Sequence, residues 1–181
     1  MRKIIMAALV MTGLLVMMPE SAYSQRSKNK KKSRVETVKN QFDGSYNYEV
    51  ETVGVGTEGT KSLKVWAYGK NVDEAIALAK KCAVAACIYR GLPAAENVLA
   101  TPALYPNPDP KWDDYFGEFF DDGGEYLNYV NLTSDGVPSG QDRLKLKKGG
   151  YKCGIYVQVL FDRLRKDLEK KGVIASMNSY F

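Results

Sequence analysis

The sequence predicts an α+β fold: a two-layer sandwich in which a mostly antiparallel sheet of about four or five strands carries two main helices on one face. Residues 46–52, 63–68 and 151–159 alternate between apolar and polar side chains, and this period of two indicates strands with one wet face. Residues 72–90 and 162–171 instead repeat apolar positions every three or four residues, as amphipathic helices do. An aromatic–acidic helical insertion completes the predicted domain.

The first two strands are predicted to form a hairpin around the glycines of residues 54–59. These glycines match GxGxxG, but a dinucleotide site needs a helix N-terminus directly after them, and here a second strand follows. We therefore interpret them as turn residues. In the second strand, Trp66 and Tyr68 share a face with Lys64, so that face is expected to be partly covered.

The helix over residues 72–90 has clear start and stop signals. Asn71 is the predicted N-cap, acidic residues follow in the first turn, and Gly91 ends the helix. Its apolar face is built mainly from alanine, which predicts close packing against the sheet. The face comprises Ala75, Leu78, Ala79, Cys82, Ala85, Ala86 and Tyr89.

The amino terminus has the pattern of a secretory signal peptide. Two basic residues precede an apolar run over residues 4–18, and small side chains at Ala22 and Ser24 predict cleavage after residue 24. No cysteine lies at the cleavage point, so no lipid attachment is expected. Residues 1–24 are thus predicted to be removed, leaving an exported, periplasmic protein without a transmembrane span. The alternative is a secreted or outer-membrane-associated protein.

Residues 25–40 are predicted to be a basic, disordered spacer before a single domain over residues 41–181. The spacer reads either as a solvated linker or as an electrostatic attachment to an anionic envelope surface. Eight of the 26 Lys and Arg residues precede residue 35, but only one of the 21 Asp and Glu residues does. The formal net charge of the rest of the chain is therefore near −2, and nucleic acid is not an expected partner. The cluster of basic residues in the first ten positions of the spacer comprises Arg26, Lys28, Lys30, Lys31, Lys32 and Arg34.

The cysteines allow two interpretations. A helix-to-sheet disulfide between Cys82 and Cys153 would suit an oxidising compartment, whereas three buried thiols would behave as small apolar side chains. The chain has no histidine and its cysteines lack CxxC spacing, so neither a metal nor another cofactor is predicted.

The aromatic–acidic insertion, residues 112–120, has the most unusual composition in the chain. One interpretation is an amphipathic helix that packs its rings on the domain. Another is a groove for a partner or a glycan, and a calcium loop over residues 121–125 is a third. The predicted partner-binding residues are Trp112, Tyr115, Phe116, Phe119, Asp113 and Asp114.

Enzymatic activity is not expected from these residues. The lack of histidine excludes Ser-His-Asp and Cys-His catalysis, and neither GxSxG nor SxxK occurs. Paired carboxylates could still act on glycosidic bonds, with Asp113, Asp114 and Glu118 as the concentrated candidates.

The glycine-ended strand and the alanine-rich helix, EAIALAKKCAVAA, carry a resemblance. Together they resemble small exported proteins of unknown function from Gram-negative bacteria and are more distantly similar to a module shared by outer-membrane lipoproteins and a flagellar assembly protein. In this chain a second strand separates the glycines from the helix, and the lipid-bearing cysteine is absent. The matching positions cover about a quarter of the chain and are Gly54, Gly56, Ala75, Ala79, Ala83 and Ala86.

The resemblance implies an assembly or accessory role in the cell envelope. The sequence as a whole predicts an exported, non-catalytic binding or assembly module, with another envelope protein or a glycan as its partner. The alternative is a glycan-binding or carbohydrate-acting protein that uses the insertion.

Overall fold

A computed structural model describes residues 48–133, 138–147 and 149–176 of the chain. The predicted signal peptide, the basic spacer and the first residues of the predicted domain lie outside the described residues. Within the described part, five strands form one antiparallel sheet in the order β1-β2-β5-β3. β3 and β4 both pair with the edge of β5 that faces away from β2: β3 pairs with the end of β5, and β4 pairs with its beginning. The strands are β1 (Glu49–Val55), β2 (Lys61–Gly69), β3 (Val130–Leu132), β4 (Arg143–Lys145) and β5 (Tyr151–Val159). The predicted antiparallel α+β architecture is confirmed.

Three α-helices accompany the sheet in this part of the chain: α1 (Val72–Ala85), α2 (Asp113–Phe119) and α3 (Phe161–Lys170). The predicted N-cap of α1 is confirmed, since the Asn71 side chain accepts a hydrogen bond from the Glu74 N–H at 2.8 Å. Beyond Ala85 the helix widens into a π-helical turn, Ala86–Arg90, which ends at Gly91.

The core lies between one face of the sheet and α1. Leu63, Val65 and Ala67 of β2 are fully buried, as the alternating pattern predicts, and every second residue of β5 from Cys153 is buried beside them. Small side chains on α1 let its backbone approach this face closely. The α3 helix contacts the 3-10 turns Thr57–Gly59 and Glu125–Tyr129 and adds three buried residues to the core: Phe161, Leu164 and Leu168.

Two strands differ from the sequence-based expectation. Residues 126–132, whose local pattern also allows a third strand of the sheet, lie mostly in a 3-10 turn, Glu125–Tyr129, and only Val130–Leu132 form β3. Tyr126 and Tyr129 are both buried, and a repeat of three residues per turn places both rings on one side, which a strand would not do. The first strand extends to Val55 and carries a β-bulge between Thr52 and Gly54.

The insertion packs beside the π-helical turn. Carbonyl groups that the end of the helix leaves unpaired accept hydrogen bonds from the following chain: Cys87 from the Leu104 N–H at 3.1 Å and Ile88 from the Tyr105 N–H at 2.7 Å. Gly91 makes this approach possible, because its φ is +78° and a Cβ there would lie 2.5 Å from the Thr101 carbonyl oxygen. The chain therefore returns close to α1 before α2 begins.

Candidate binding surfaces

The insertion uses most of its rings to build the core. Phe116, Phe119 and Phe120 are buried, and Phe119 is 2 % exposed. Their rings contact one another and reach both the helix and the 3-10 turn: Phe116 meets Tyr89 edge-on at 5.5 Å, and Phe119 stacks on Tyr129 at 5.9 Å. Two of the predicted partner-binding residues, Phe116 and Phe119, are thus enclosed in the fold and present no surface to a partner.

The outer rim of the insertion stays partly accessible. Trp112 and Tyr115 are partly buried and meet edge-on at 6.0 Å, Asp113 is partly buried, and Asp114 is exposed. The Lys171 ammonium lies 4.7 Å from the centre of the Tyr115 ring. Burial raises the pKa of the Tyr115 hydroxyl above its ordinary range, so this group remains protonated. The rim is therefore a small surface of two rings and two carboxylates.

The opposite face of the sheet presents a second aromatic surface. Among the α-helices of the described residues, only α1 makes extensive contact with the sheet, and it packs on the core face. The opposite face meets the short 3-10 turn Gly140–Asp142, and there β2 and β5 place side chains from directly paired positions. The register sets Lys64 opposite Tyr156, and Tyr68 opposite Lys152. Five side chains form a continuous series, here named the open-face row: Tyr156, Lys64, Trp66, Lys152 and Tyr68.

Rings and ammonium groups alternate along the open-face row. The Lys64 Nζ lies 5.0 Å from the centre of the Tyr156 ring and 4.7 Å from that of Trp66. The Lys152 Nζ lies 5.1 Å from the Trp66 ring and 5.7 Å from the Tyr68 ring. Each contact is a cation–π interaction, which gains strength where water is partly excluded. The two lysine side chains are accordingly only 17 % and 20 % exposed.

Carboxylates from neighbouring elements fix both lysines and the indole ring. Asp142 accepts from the Lys64 Nζ at 2.7 Å, and Glu49 of β1 accepts from the Lys152 Nζ at 3.0 Å. These hydrogen bonds are the main reason that the pKa of each lysine is raised, so both remain charged through the physiological range. The Trp66 Nε1–H donates to Glu51 at 3.1 Å.

Gly154 provides the floor of the open-face row. It lies opposite Trp66 in the register, and a Cβ at this position would be 3.1 Å from the indole Cη2 atom and 3.0 Å from the Lys64 Cε atom. The missing side chain lets the indole ring and the lysine extend across β5. A central strand residue without a side chain here serves close packing on the open face.

A hollow lies at each end of the open-face row. Tyr156 borders a hollow of about 380 Å³, together with Val53, Ser62 and Thr133. Tyr68 borders a groove of about 720 Å³ between the start of α1 and the β4–β5 turn. The lining of this groove includes the charged residues Lys70, Glu74, Lys81 and Asp122. Concave surfaces that combine rings with a few polar groups are typical of ligand sites.

The sequence indicated only part of this surface. It placed Trp66 and Tyr68 with Lys64, but not Lys152, Tyr156 or the glycine between them. The available signal was the alternation in β5, which puts residues 152, 154, 156 and 158 on one face. Recognising the open-face row also requires knowing that β2 and β5 are neighbours, and their intervening 81 residues hide this from a reading in chain order.

The three cysteines are buried thiols, with no disulfide between them. The Cys82–Cys153 bridge that the sequence allowed is therefore not formed in this structure. Burial raises the pKa of the Cys82 and Cys87 thiols to about 12, and it raises that of Cys153 as well. All three behave as small apolar side chains of the core.

Nowhere in the described ranges do three His, Cys, Asp or Glu side chains group closely enough to hold a metal ion, and this includes the predicted calcium loop over residues 121–125. None of the helices there has the length and apolar character needed to cross a membrane.

These features define an α+β protein with one sheet face committed to the core and the other left to a pre-assembled row of rings and ion pairs. Comparison with protein-family models, with curated proteins and with solved structures finds no match to this chain.

Proposed function

We propose that the chain is an exported, non-catalytic binding module of the cell envelope that contacts its partner through the open face of its sheet. The observation that carries this proposal is the open-face row itself. Five side chains on neighbouring strands are held by hydrogen bonds and cation–π contacts on a face that no α-helix of the described residues covers. Groups held in this way lose little freedom on binding, which favours recognition.

Export rests on the amino-terminal sequence. A basic start, a short apolar run and small residues before the cleavage point are the parts of a secretory signal. The basic residues that follow would attach the mature chain to anionic surfaces of the envelope.

A binding role fits the open-face row better than catalysis does. Lys64 and Lys152 have raised pKa values, so at neutral pH neither is free to act as a base or as a nucleophile. The chain also lacks histidine, the side chain that most often transfers protons in enzymes.

The open face is a larger aromatic surface than the rim of the insertion. It offers three rings with two fixed ammonium groups, whereas the rim offers Trp112 and Tyr115. The glycan-binding or carbohydrate-acting alternative that the sequence placed on the insertion would have to act through that rim, with Asp113 and Asp114 as its acids.

Site-specific photo-crosslinking in intact Gram-negative cells tests the proposal. A photoreactive phenylalanine analogue at Tyr156, which is 37 % exposed, should give adducts with an envelope component. The same analogue at Leu99 is the matched control, because Leu99 is 89 % exposed and belongs to the loop between α1 and α2 rather than to the row. The recovered protein should begin at Gln25. An unprocessed chain in the cytosol, or adducts of equal yield from both positions, would contradict the proposal.

A further inference from the structure

We infer that the open-face row binds a linear, uncharged oligosaccharide. This inference rests on the proposed function and adds the chemical class of the ligand. It is carried by the composition of the row, its charge, its length and the hollows at its two ends.

The composition of the row suits sugar rings. One side of a pyranose carries mainly C–H groups, which pack on aromatic faces, while its hydroxyls need donors and acceptors at the edges of the contact. The row supplies the rings of Tyr156, Trp66 and Tyr68. An ammonium has three N–H donors and a carboxylate about four lone-pair positions, so the ion pairs of Lys64 and Lys152 keep capacity for hydroxyl groups.

The charge of the row argues against polyanions. Its two ammonium groups are each paired, with Asp142 and with Glu49, and Glu51 adds a third carboxylate beside Trp66. The formal charge of the surface is therefore −1. Binding of nucleic acids and anionic lipids depends on uncompensated Lys and Arg, which this surface does not supply.

The length of the row favours a chain over a single sugar. Tyr68 and Lys64 are four residues apart along β2, which corresponds to about 13 Å at the rise of an antiparallel strand, and Tyr156 lies opposite Lys64. The row continues across the sheet to Tyr156 and its hollow, while the larger groove lies beyond Tyr68. An oligosaccharide lying along the rings would thus find space for a further unit at both ends.

The two tryptophans of the chain allow a direct test. In a W112F protein, Trp66 is the only tryptophan and reports on the open face. Titration with chitotetraose or cellotetraose should change the Trp66 emission until it reaches a plateau at saturating sugar. In a W66F protein, Trp112 alone reports on the rim of the insertion, and its emission should stay constant. Saturation seen only through Trp112 would overturn the inference and assign glycan binding to the insertion.

Two further variants test the geometry. Tyr156→Ala removes an end ring, and Gly154→Ala places a Cβ against the far ends of the Trp66 and Lys64 side chains. Each should weaken oligosaccharide binding at least fivefold in the W112F background, whereas Leu99→Ala should leave it unchanged. Circular dichroism and the melting temperature identify any variant that fails to fold, and Tyr156→Phe, which keeps the ring, should bind the oligosaccharide more tightly than Tyr156→Ala does.

Competing ligands complete the test. A thymidine oligonucleotide and anionic phospholipid vesicles should leave the emission of Trp66 unchanged, and saturable binding of either in place of the sugars would overturn the inference. If neither oligosaccharide binds while the analogue at Tyr156 still crosslinks to an envelope protein, the carbohydrate inference is wrong and the proposed binding function stands.

Discussion

Asn71 closes the first turn of α1 with the help of Glu74. The Asn71 Oδ1 atom accepts from the Glu74 N–H at 2.8 Å, and the Glu74 carboxylate accepts from the Lys70 N–H at 2.7 Å. These two bonds satisfy backbone donors that the start of a helix leaves unpaired, in a close variant of the capping box.

Replacing Asn71 by alanine should lower the free energy of unfolding by about 1 kcal/mol, because an N-H of the first turn loses its acceptor. Urea denaturation followed by circular dichroism measures the change. Asn97→Ala, in the exposed turn between Ala95 and Val98, serves as the control and should stay within about 0.5 kcal/mol of the parent protein. Equal losses in both variants would show that Asn71 does not act as a cap.

The buried thiols make stability depend on pH in the alkaline range. Burial raises the pKa of Cys82 and Cys87 from 9.0 to about 12, so folding favours their protonated forms. Because the thiol pKa is higher in the folded state than in the unfolded state, the protonated thiols contribute their full stability only below the pKa of the unfolded chain. This contribution is lost as the pH rises from 9.0 towards 12. The free energy of unfolding of the parent protein should fall by about 1 kcal/mol per thiol between pH 8 and pH 10.

A double variant isolates that contribution from the tyrosines, which also titrate in this range. Between pH 8 and pH 10, the free energy of unfolding of the Cys82→Ala, Cys87→Ala double variant should fall by about 2 kcal/mol less than that of the parent. This holds whatever the stability of the variant at pH 8. Urea midpoints at the two pH values measure both losses. The same slope in both proteins would mean that the thiols are not desolvated in the fold.

At the scale of elements, α2 stabilises the domain through its buried rings. Phe119 contacts Phe120 edge-on at 4.9 Å and stacks on Tyr129, while Trp112 stays at the rim. Phe119→Ala should therefore cost about 3–5 kcal/mol by leaving a cavity. Trp112→Ala should cost less than half as much, since its ring is only partly buried. Denaturant unfolding compares the two, and a larger loss for Trp112 would reverse the assignment of core and rim.

The elements that local patterns specify could be predicted from the sequence. The N-cap at Asn71, the end of the helix at Gly91 and the alternation in β2 and β5 all depend on neighbouring residues. The 3-10 turn before β3 could not be predicted in this way. Its tyrosines are buried by α2 and α1, and such a tertiary contact overrides the strand pattern that the residues show locally.

The candidate site is less visible in the sequence than the fold. Its residues come from β1, β2, β5 and the turn before β4, and antiparallel pairing alone brings them together. The insertion is the more conspicuous feature of the sequence because its rings and acids are adjacent in the chain, yet in the fold this adjacency serves packing. Residues distant in sequence but paired in register form the surface that stays open.

At the scale of the whole molecule, the two faces of the sheet have different roles. The core face supplies stability by burying aliphatic and small side chains under α1 and α3, and the hydrophobic effect scales with the area buried. The open face is neither bare nor covered by a second layer of helices in the described residues. Its ion pairs and rings shield the backbone while keeping polar groups at the surface, which is the condition for binding a polar ligand without loss of the fold.

The bulge at Val53 has a consequence for how copies of the protein behave together. A long, regular outer strand offers unpaired backbone groups on which another chain can add, and repetition of this step builds fibres. Here β1 is interrupted by the bulge and carries Glu49 and Glu51, while the other border consists of two strands of three residues each. Among the described residues both borders therefore have features that disfavour the addition of another strand, and we expect the folded domain to resist growth into fibres.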